Sequence, residues 1–463
     1  MQNFSQKLDH FFGITKRGST VKRELLAGLV TFLSLAYILA VNPTMLGGNG
    51  AFETGIDVGS VFMATALAAG ITTILMGIYA KLPVALAPGM GVNAFFALTV
   101  CAPWGFNKSW QFALAAVLIS GVIFVIISLT GVRKAVINAI PMNMKYAVGG
   151  GIGCFIAFIG LVNSGLIYVD TTSALPQLGH FSSPVLLIGL TGIIITAVLM
   201  IKKVKGSIFF GLVATAVIGL VCHLLGVSEL SAAGVELLPN FDNISFAIPS
   251  LAPTFGKAFG SFGEVLTSFD GWVIIVMFLF VDFFDTAGTL VAIGTQADLI
   301  NDKGEIEGAD RAFLVDSVGT VIGGVLGTST VTSYIESSTG IEAGGRTGLV
   351  AVTTGILLIL AIFFAPLLSV VTSVVTGPAL VIVGVLMASN FKKIDWTDFT
   401  IAVPAFFTIV GMILTYSIAN GMALGFIMYL VCEIAAGKAK EVKPAMWVLP
   451  FFFVAYFIFS SII

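Results

Sequence analysis

Four carboxylic acids stand in stretches of this chain that are otherwise apolar. Asp282 and Asp285 interrupt the run Phe-Val-Asp-Phe-Phe-Asp-Thr-Ala-Gly at 280–288, Asp316 lies inside the next apolar run, and Glu336 follows Thr-Ser-Thr-Val-Thr-Ser-Tyr at 328–334. A spacing of three puts Asp282 and Asp285 on one face of a helix. A charged carboxylate at the centre of a bilayer costs about 2.5–3.5 kcal/mol even on the lenient scale, so acids kept there face the protein interior and serve a function. They can accept N–H groups of a ligand or carry a coupling proton. A purely structural role, bonding a neighbouring helix, stays open for Asp285 or Asp316 taken singly. Asn93 has an amide that both donates and accepts. Thr286, Thr332, Ser333 and Ser337 can bond a ligand or their own backbone. Phe95, Phe283 and Tyr334 can stack on an aromatic one.

Other chemistries lack their residues. Four cysteines (Cys101, Cys154, Cys222, Cys432) and three histidines (His10, His180, His223) are scattered without C-x-x-C or H-x-x-x-H spacing. No disulfide framework, metal site or haem is expected. There is no nucleophile elbow and no paired metal-ligand set, so no enzyme is expected either.

The elements that hold the acids must lie in a membrane. Of 463 residues 57% are hydrophobic and 10% charged, with a mean hydropathy of +1.06. Soluble domains run at about 45–50% apolar and about 25% charged. The net charge of −2 gives no support to nucleic-acid binding. The 52 glycines point to close helix packing and broken helices.

Runs long enough to span, about 17–25 residues, occur at 24–42, 59–80, 109–131, 135–162, 184–201, 206–227, 272–293, 312–326, 347–365, 368–389, 398–416 and 418–434. Two half-helices, at 82–100 and 328–345, bring the expectation to fourteen segments of an all-α polytopic membrane protein. A last run at 446–463 is either a fifteenth crossing or an interfacial helix. Residues 1–23 form a cytoplasmic segment with no cleaved signal peptide expected, and 4–12 within it are either a short interfacial helix or a disordered tail. With the N-terminus inside, Arg133/Lys134, Lys202/Lys203/Lys205, Lys303/Arg311, Arg346, Lys392/Lys393 and Lys438/Lys440/Lys443 all fall on the cytoplasmic side. Seven segments per half make an inverted repeat, 24–240 and 241–463, and the two halves share a rhythm of Gly70 and Gly77 against Gly319 and Gly327.

Each half holds one stretch that is not a helix. Pro83 and Pro88 remove donors and push the residues before them towards extended geometry. A helix restarting at Gly89 or Met90 has Asn93 in its first turn. The β-branched, polar stretch 328–334 precedes Glu336 in the same way. Irregular backbone at membrane depth is tolerated only inside protein or beside a cavity, so both stretches are expected to frame a site between two helix N-termini.

At these residues the sequence resembles a known family. The strings Thr-Phe-Leu-Ser-Leu-Ala-Tyr-Ile-Leu-Ala-Val-Asn-Pro (31–43), Ala-Pro-Gly-Met-Gly-Val-Asn-Ala-Phe-Phe (87–96), Phe-Phe-Asp-Thr-Ala-Gly-Thr-Leu (283–290) and Gly-Thr-Ser-Thr-Val-Thr-Ser-Tyr-Ile-Glu-Ser-Ser (327–338) are similar to purine permeases of the nucleobase:cation symporter superfamily, in the azaguanine-type branch. The resemblance runs over essentially the whole chain. It implies two inverted repeats of seven segments, short strands in segments three and ten, a core and a gate domain, and a homodimer with a core that slides. It implies substrate binding by Asp282 and Glu336, purine recognition by Asn93, a second transport acid at Asp285 and a polar position at Asp316.

The expectation is a purine nucleobase:H⁺ symporter of the cytoplasmic membrane, taking hypoxanthine, guanine or adenine. Asn93, Asp282, Glu336, Thr332, Ser333 and Phe95 are expected to bind the base, and Asp282, Asp285 and Asp316 to couple the proton. The partners are the base and the bilayer, with no nucleic acid, no metal and no cofactor beyond the coupling ion, for which Na⁺ remains an alternative. An anion transporter on the same fold is the rival reading. It would place a cation at the site, where this chain places Glu336. A channel fits broken helices in an inverted repeat less well.

Overall fold

A backbone surrounded by lipid must satisfy its own N–H and C=O groups, and helices do so locally. The computed structural model describes residues 2–48, 52–130, 141–169, 176–229, 237–239, 247–296 and 308–444, with a few positions between 446 and 457. Most of the expected helix at 446–463 lies outside the described residues. So do Arg133, Lys134 and Lys303 of the basic clusters.

Helix α1 (Gln2–Phe12) leads to Thr20, which caps α2 (Val21–Leu35) by accepting from the Arg23 N–H. The first apolar run is broken at Ala36–Tyr37, and α3 (Ile38–Leu46) completes it. Asp57 caps α4 (Val58–Ala80), which ends in a π-helical turn from Met76. There follow strand β1 (Leu86–Pro88) and α5 (Met90–Cys101), which is α-helical to Ala94 and π-helical beyond. Then come α6 (Trp110–Thr130), α7 (Met142–Asn163), a small hairpin of β2 (Ile167–Val169) and β3 (Pro176–Leu178), α8 (Pro184–Ile201) and α9 (Ser207–Leu224). The short α10 (Phe262–Thr267) turns into α11 (Phe269–Gln296), and α12 (Ala309–Leu326) runs back to strand β4 (Val331–Ser333). The chain closes with α13 (Ser337–Glu342), α14 (Gly348–Leu360), α15 (Ser373–Ala388), α16 (Phe399–Leu414) and α17 (Ile418–Ala435).

Among the described residues nine helices are long and apolar enough to cross a membrane, or ten if the pair bent by 115° before Phe269 is one span. The chain is a helical polytopic membrane protein. Helix α12 has the length, but it carries Asp310, Arg311 and Asp316.

Two packing groups are evident. Helices α2, α4, α6, α12 and α14 pack with one another and with the strands, whereas α7, α8, α9, α15, α16 and α17 pack together. Glycines allow the closest crossings. A Cβ on Gly348 would stand 2.0 Å from the Gly77 carbonyl oxygen, and one on Gly384 2.4 Å from that of Gly153. Backbones meet directly there, with small residues serving as the contact surface.

The N-terminal end is tied by one fully buried acid. Glu24 accepts from the backbone N–H of Arg346 at 2.9 Å, from that of Thr347 at 3.0 Å and from the Thr347 hydroxyl at 2.7 Å. Lys81 donates to the Phe11 carbonyl at 3.1 Å, and a Cβ on Gly308 would stand 3.2 Å from the Ala80 carbonyl oxygen, so α1 and the start of α12 share this end. Glu24→Ala leaves three buried donors without an acceptor, at about 1–3 kcal/mol each. We expect the apparent melting temperature of the detergent-purified protein to fall by several degrees, with Glu24→Gln intermediate. An unchanged melting temperature in Glu24→Ala would contradict this tie.

Candidate functional site at a strand crossing

The two non-helical stretches meet inside the bundle. Strands β1 and β4 pair antiparallel in the register Leu86 with Ser333, Ala87 with Thr332 and Pro88 with Val331. The Gly89 N–H donates to the Thr330 carbonyl at 3.1 Å and the Tyr334 N–H to the Ala85 carbonyl at 2.9 Å, extending the ladder at both ends. Side chains finish the accounting. The Thr73 hydroxyl accepts from the Leu86 N–H at 2.9 Å and lies 3.0 Å from its carbonyl, and the Ser337 hydroxyl accepts from the Ala85 N–H at 2.9 Å. Tyr334 donates its phenol to the Pro88 carbonyl. Because the strands are antiparallel, α5 and α13 leave the ribbon from opposite ends. The half-helix expected over 328–345 contracts to the six residues of α13, because its first part is strand and Gly344, at φ +99°, ends it.

The acids gather around this ribbon. Asp316, fully buried, accepts at Oδ1 from the Thr286 hydroxyl at 2.7 Å, the Ser333 N–H at 2.9 Å and the Ser333 hydroxyl at 3.1 Å. Asp282, 1% exposed, accepts at Oδ2 from the Thr320 hydroxyl at 2.8 Å. Helices α11 and α12 thus clasp each other reciprocally: each offers an Asp and, one turn later, a Thr that bonds the other helix's Asp. Asp282 Oδ1 and Asp316 Oδ2 are buried and have no hydrogen-bond partner among the described residues. Asp285, half-buried, faces the ribbon instead, with the Thr332 hydroxyl at 3.4 Å. A Cβ on Gly89 would lie 3.0 Å from the Thr332 hydroxyl and 3.3 Å from Asp285 Oδ2, so the backbone at Gly89 approaches both side chains.

Glu336 accepts from the Tyr37 hydroxyl at 2.7 Å. Tyr37 sits at the break between α2 and α3, which aims the phenol at Glu336. Glu336 does not cap α13 with its side chain. Asn93 accepts from the Ser329 hydroxyl and keeps its amide N–H groups on long contacts, 3.4 Å to the Pro88 carbonyl and 3.8 Å to Met90 Sδ. Phe95 lies two residues further on, fully buried and edge-on to Phe278 with centroids 4.9 Å apart.

The fold therefore brings Asp282, Asp285, Asp316, Glu336, Thr332, Ser333 and Asn93 to one ribbon, with Phe95 beside it. Sequence reasoning missed Tyr37, Thr320, Ser329, Thr73 and Asn42, which donates to Thr65 and Thr328 at 2.6 and 2.8 Å. Thr320 could have been found: Asp-x-x-x-Thr occurs at 282–286 and again at 316–320. A phenol inside an apolar run, as at Tyr37, also asks for a partner. Such an arrangement can receive an uncharged ligand that presents N–H groups to carboxylates and acceptors to hydroxyl and amide donors.

Because Asp282 has a single donor and Asp316 has three, their losses should differ. Thr320→Val leaves a buried carboxylate oxygen bare, at about 1–3 kcal/mol, whereas Ser333→Ala removes one donor of several. Thermal unfolding of the purified variants should show the larger loss in Thr320→Val. The reverse order would contradict the clasp.

Comparison with known proteins gives the family. The chain is 49% identical over 97% of its length to a guanine/hypoxanthine permease, PbuG, of Bacillus subtilis (strain 168), covering 99% of that protein. It is 38% identical over 96% of its length to an adenine permease, AdeQ, of Escherichia coli (strain K12), covering 94% of it. Its fold is similar to that of the transmembrane domain of a cyanobacterium bicarbonate transporter, BicA, with a TM-score of 0.60 at 16% identity, over 90% of this chain and 97% of that one. Residues 22–424 match the Permease family. With that match and relatives aligned over nearly their whole length, this chain belongs to the Permease family and is a transporter rather than an enzyme.

Proposed function

We propose that the protein imports purine nucleobases, guanine and hypoxanthine first and adenine next, in symport with a proton. One observation carries this reading: a relative named as a guanine/hypoxanthine permease is 49% identical over almost the whole chain. The chemistry supports it. A purine is planar, with N–H and C=O groups on its edges. Tyr37 occupies one oxygen of Glu336, and the other is available to a ring N–H. Asn93 reads a purine edge without adding charge. Thr332 and Ser333 line the ribbon beside it, Asp282 takes part in binding, and Phe95 bounds the site on one side. No Lys or Arg bonds these residues among those described, in keeping with an uncharged ligand rather than an anion.

In this reading Asp282 carries the coupling proton, with Asp285 and Asp316 assisting, and Na⁺ is the alternative ion. Asp282 Oδ1 has no donor among the described residues, so a proton there gives its carboxyl a hydrogen to offer the base. A neutral base entering with one proton carries one charge. A membrane potential of 100 mV then adds about 2.3 kcal/mol to uptake, on the order of fiftyfold accumulation.

The wider architecture follows in the same reading. The helices and the two strand–helix units count as fourteen segments in inverted halves, 24–240 and 241–463. The group that carries the strands is a core that slides against a gate made of α7–α9 and α15–α17, each chain in a homodimer. The protein lies in the cytoplasmic membrane with its N-terminus inside.

Uptake of radiolabelled hypoxanthine, with guanine and adenine as competitors, tests the substrate. Glu336→Gln replaces an acceptor with a donor and should remove high-affinity binding at unchanged abundance. Wild-type affinity in this variant would take Glu336 out of the site. Asp282→Asn mimics the protonated acid: we expect retained purine binding with a flattened pH dependence and no proton-driven accumulation. Intact purine-driven proton flux in vesicles would move the proton elsewhere, with Asp285 next to test.

A further inference from the structure

A cavity of about 380 Å³ lies between the far end of α5 and the turn that joins α16 to α17. Its wall includes Thr99, Trp104, Phe106, Asp270, Tyr416 and Asn420. It is at the end of the bundle opposite the N-terminus, where Gly256 bonds the Val325 carbonyl at the close of α12. The orientation proposed above makes this the outer end. The volume falls within the range of about 300–1,000 Å³ typical of small-molecule sites.

Two helices give the depth of this cavity. On α5, Thr99 comes six residues after Asn93, about 9 Å at helical rise; on α11, Asp270 comes twelve residues before Asp282, about 18 Å. Between the two levels Phe278 packs edge-on to Phe95 at 4.9 Å and lies 6.5 Å from Phe96, all three rings being fully buried. An aromatic layer therefore separates the cavity from the strand crossing.

The cavity has built walls. Phe106 and Lys108 donate their N–H groups to the carbonyls of Thr99 and Val100 at 2.8 and 2.9 Å, folding the chain back over the end of α5. The Thr99 hydroxyl, in a side chain 3% exposed, has no hydrogen-bond partner among the described residues. Asp270 is held by Lys108 at 2.9 Å. Tyr416 has φ 51°, a left-handed conformation that non-glycine residues rarely hold without a local reason. Its ring meets Trp104, Phe155 and Phe158 edge-on, with centroids 6.3, 5.4 and 5.9 Å away.

We propose that this cavity is a second binding station, which the planar heteroaromatic base occupies before it passes the Phe95–Phe278 layer. The proposal rests on the purine reading above and adds a site to it. Trp104 and Tyr416 supply aromatic surface for the ring. Thr99 offers a hydroxyl proton to a ring carbonyl or nitrogen, and Asp270 accepts a ring N–H. The charge of Asp270 is already offset by Lys108, so an uncharged ligand fits better than an ion of either sign.

Equilibrium binding of radiolabelled hypoxanthine to the purified full chain tests this. Wild type should show a tight and a weak component, two molecules per chain at saturation. In Glu336→Gln the tight component should vanish and the weak one persist. Adding Thr99→Val, which keeps the shape, or Trp104→Ala should then weaken that remainder about tenfold, the worth of one such contact. Melting temperatures close to that of Glu336→Gln would show that the added substitutions leave the fold intact. Wild type saturating at one molecule per chain overturns the second station while leaving the purine reading in place. So does a weak component indifferent to both added substitutions. No hypoxanthine binding by wild type would remove the purine reading, and this proposal with it.

Discussion

Inside a membrane protein, backbone that leaves the helix must find every hydrogen bond within the protein, since each unsatisfied group costs several kcal/mol. The pairing of β1 with β4 meets that constraint here. The two stretches lie far apart in the chain, with Ala85 and Ser337 separated by 252 positions, yet each completes the other's ladder. Where a strand end runs out of backbone partners, Thr73 and Ser337 supply hydroxyls. Neither half can build this ribbon alone, so the two halves of the chain fold around each other.

The ribbon sets the directions of the side chains that matter. Successive residues of a strand point to opposite faces. Ser333 therefore turns to Asp316 on α12, while its neighbour Thr332 turns to Asp285 and Gly89. The close approach at Gly89 is eased by the missing Cβ, which would crowd Thr332 at 3.0 Å. At Ala36–Tyr37 the first span loosens while keeping helical dihedrals, and the Tyr37 phenol there reaches inward to Glu336.

Helices α11 and α12 show how buried acids are held without a basic partner. Each carboxylate takes a hydroxyl from the opposite helix, which fixes its orientation while adding no charge. Two oxygens, one on each Asp, have no partner among the described residues, which is costly in a static core. The unequal donor sets, three on Asp316 and one on Asp282, make Asp282 the less tightly held of the two.

Much of this was legible in the residues. Apolar runs of spanning length, capping residues such as Thr20 and Asp57, and the prolines at 83 and 88 act through local physics: hydropathy, one hydrogen bond at a helix start, a missing N–H. So does the improbability of four acids in apolar surroundings, which marked a candidate site before any geometry. The partners of those acids were not legible. Asp282 and Asp285 lie one turn apart on one helix, yet one bonds α12 and the other faces β4, because the direction of each side chain depends on which neighbour packs over that turn. The glycines announced close packing but not which crossings they serve, and nothing local pairs Tyr37 with Glu336 across 299 positions. Sequence alone determined that long apolar helices span and which polar groups are on offer. Tertiary structure decided which groups meet, because two strands buried in a membrane had to find each other's hydrogen bonds.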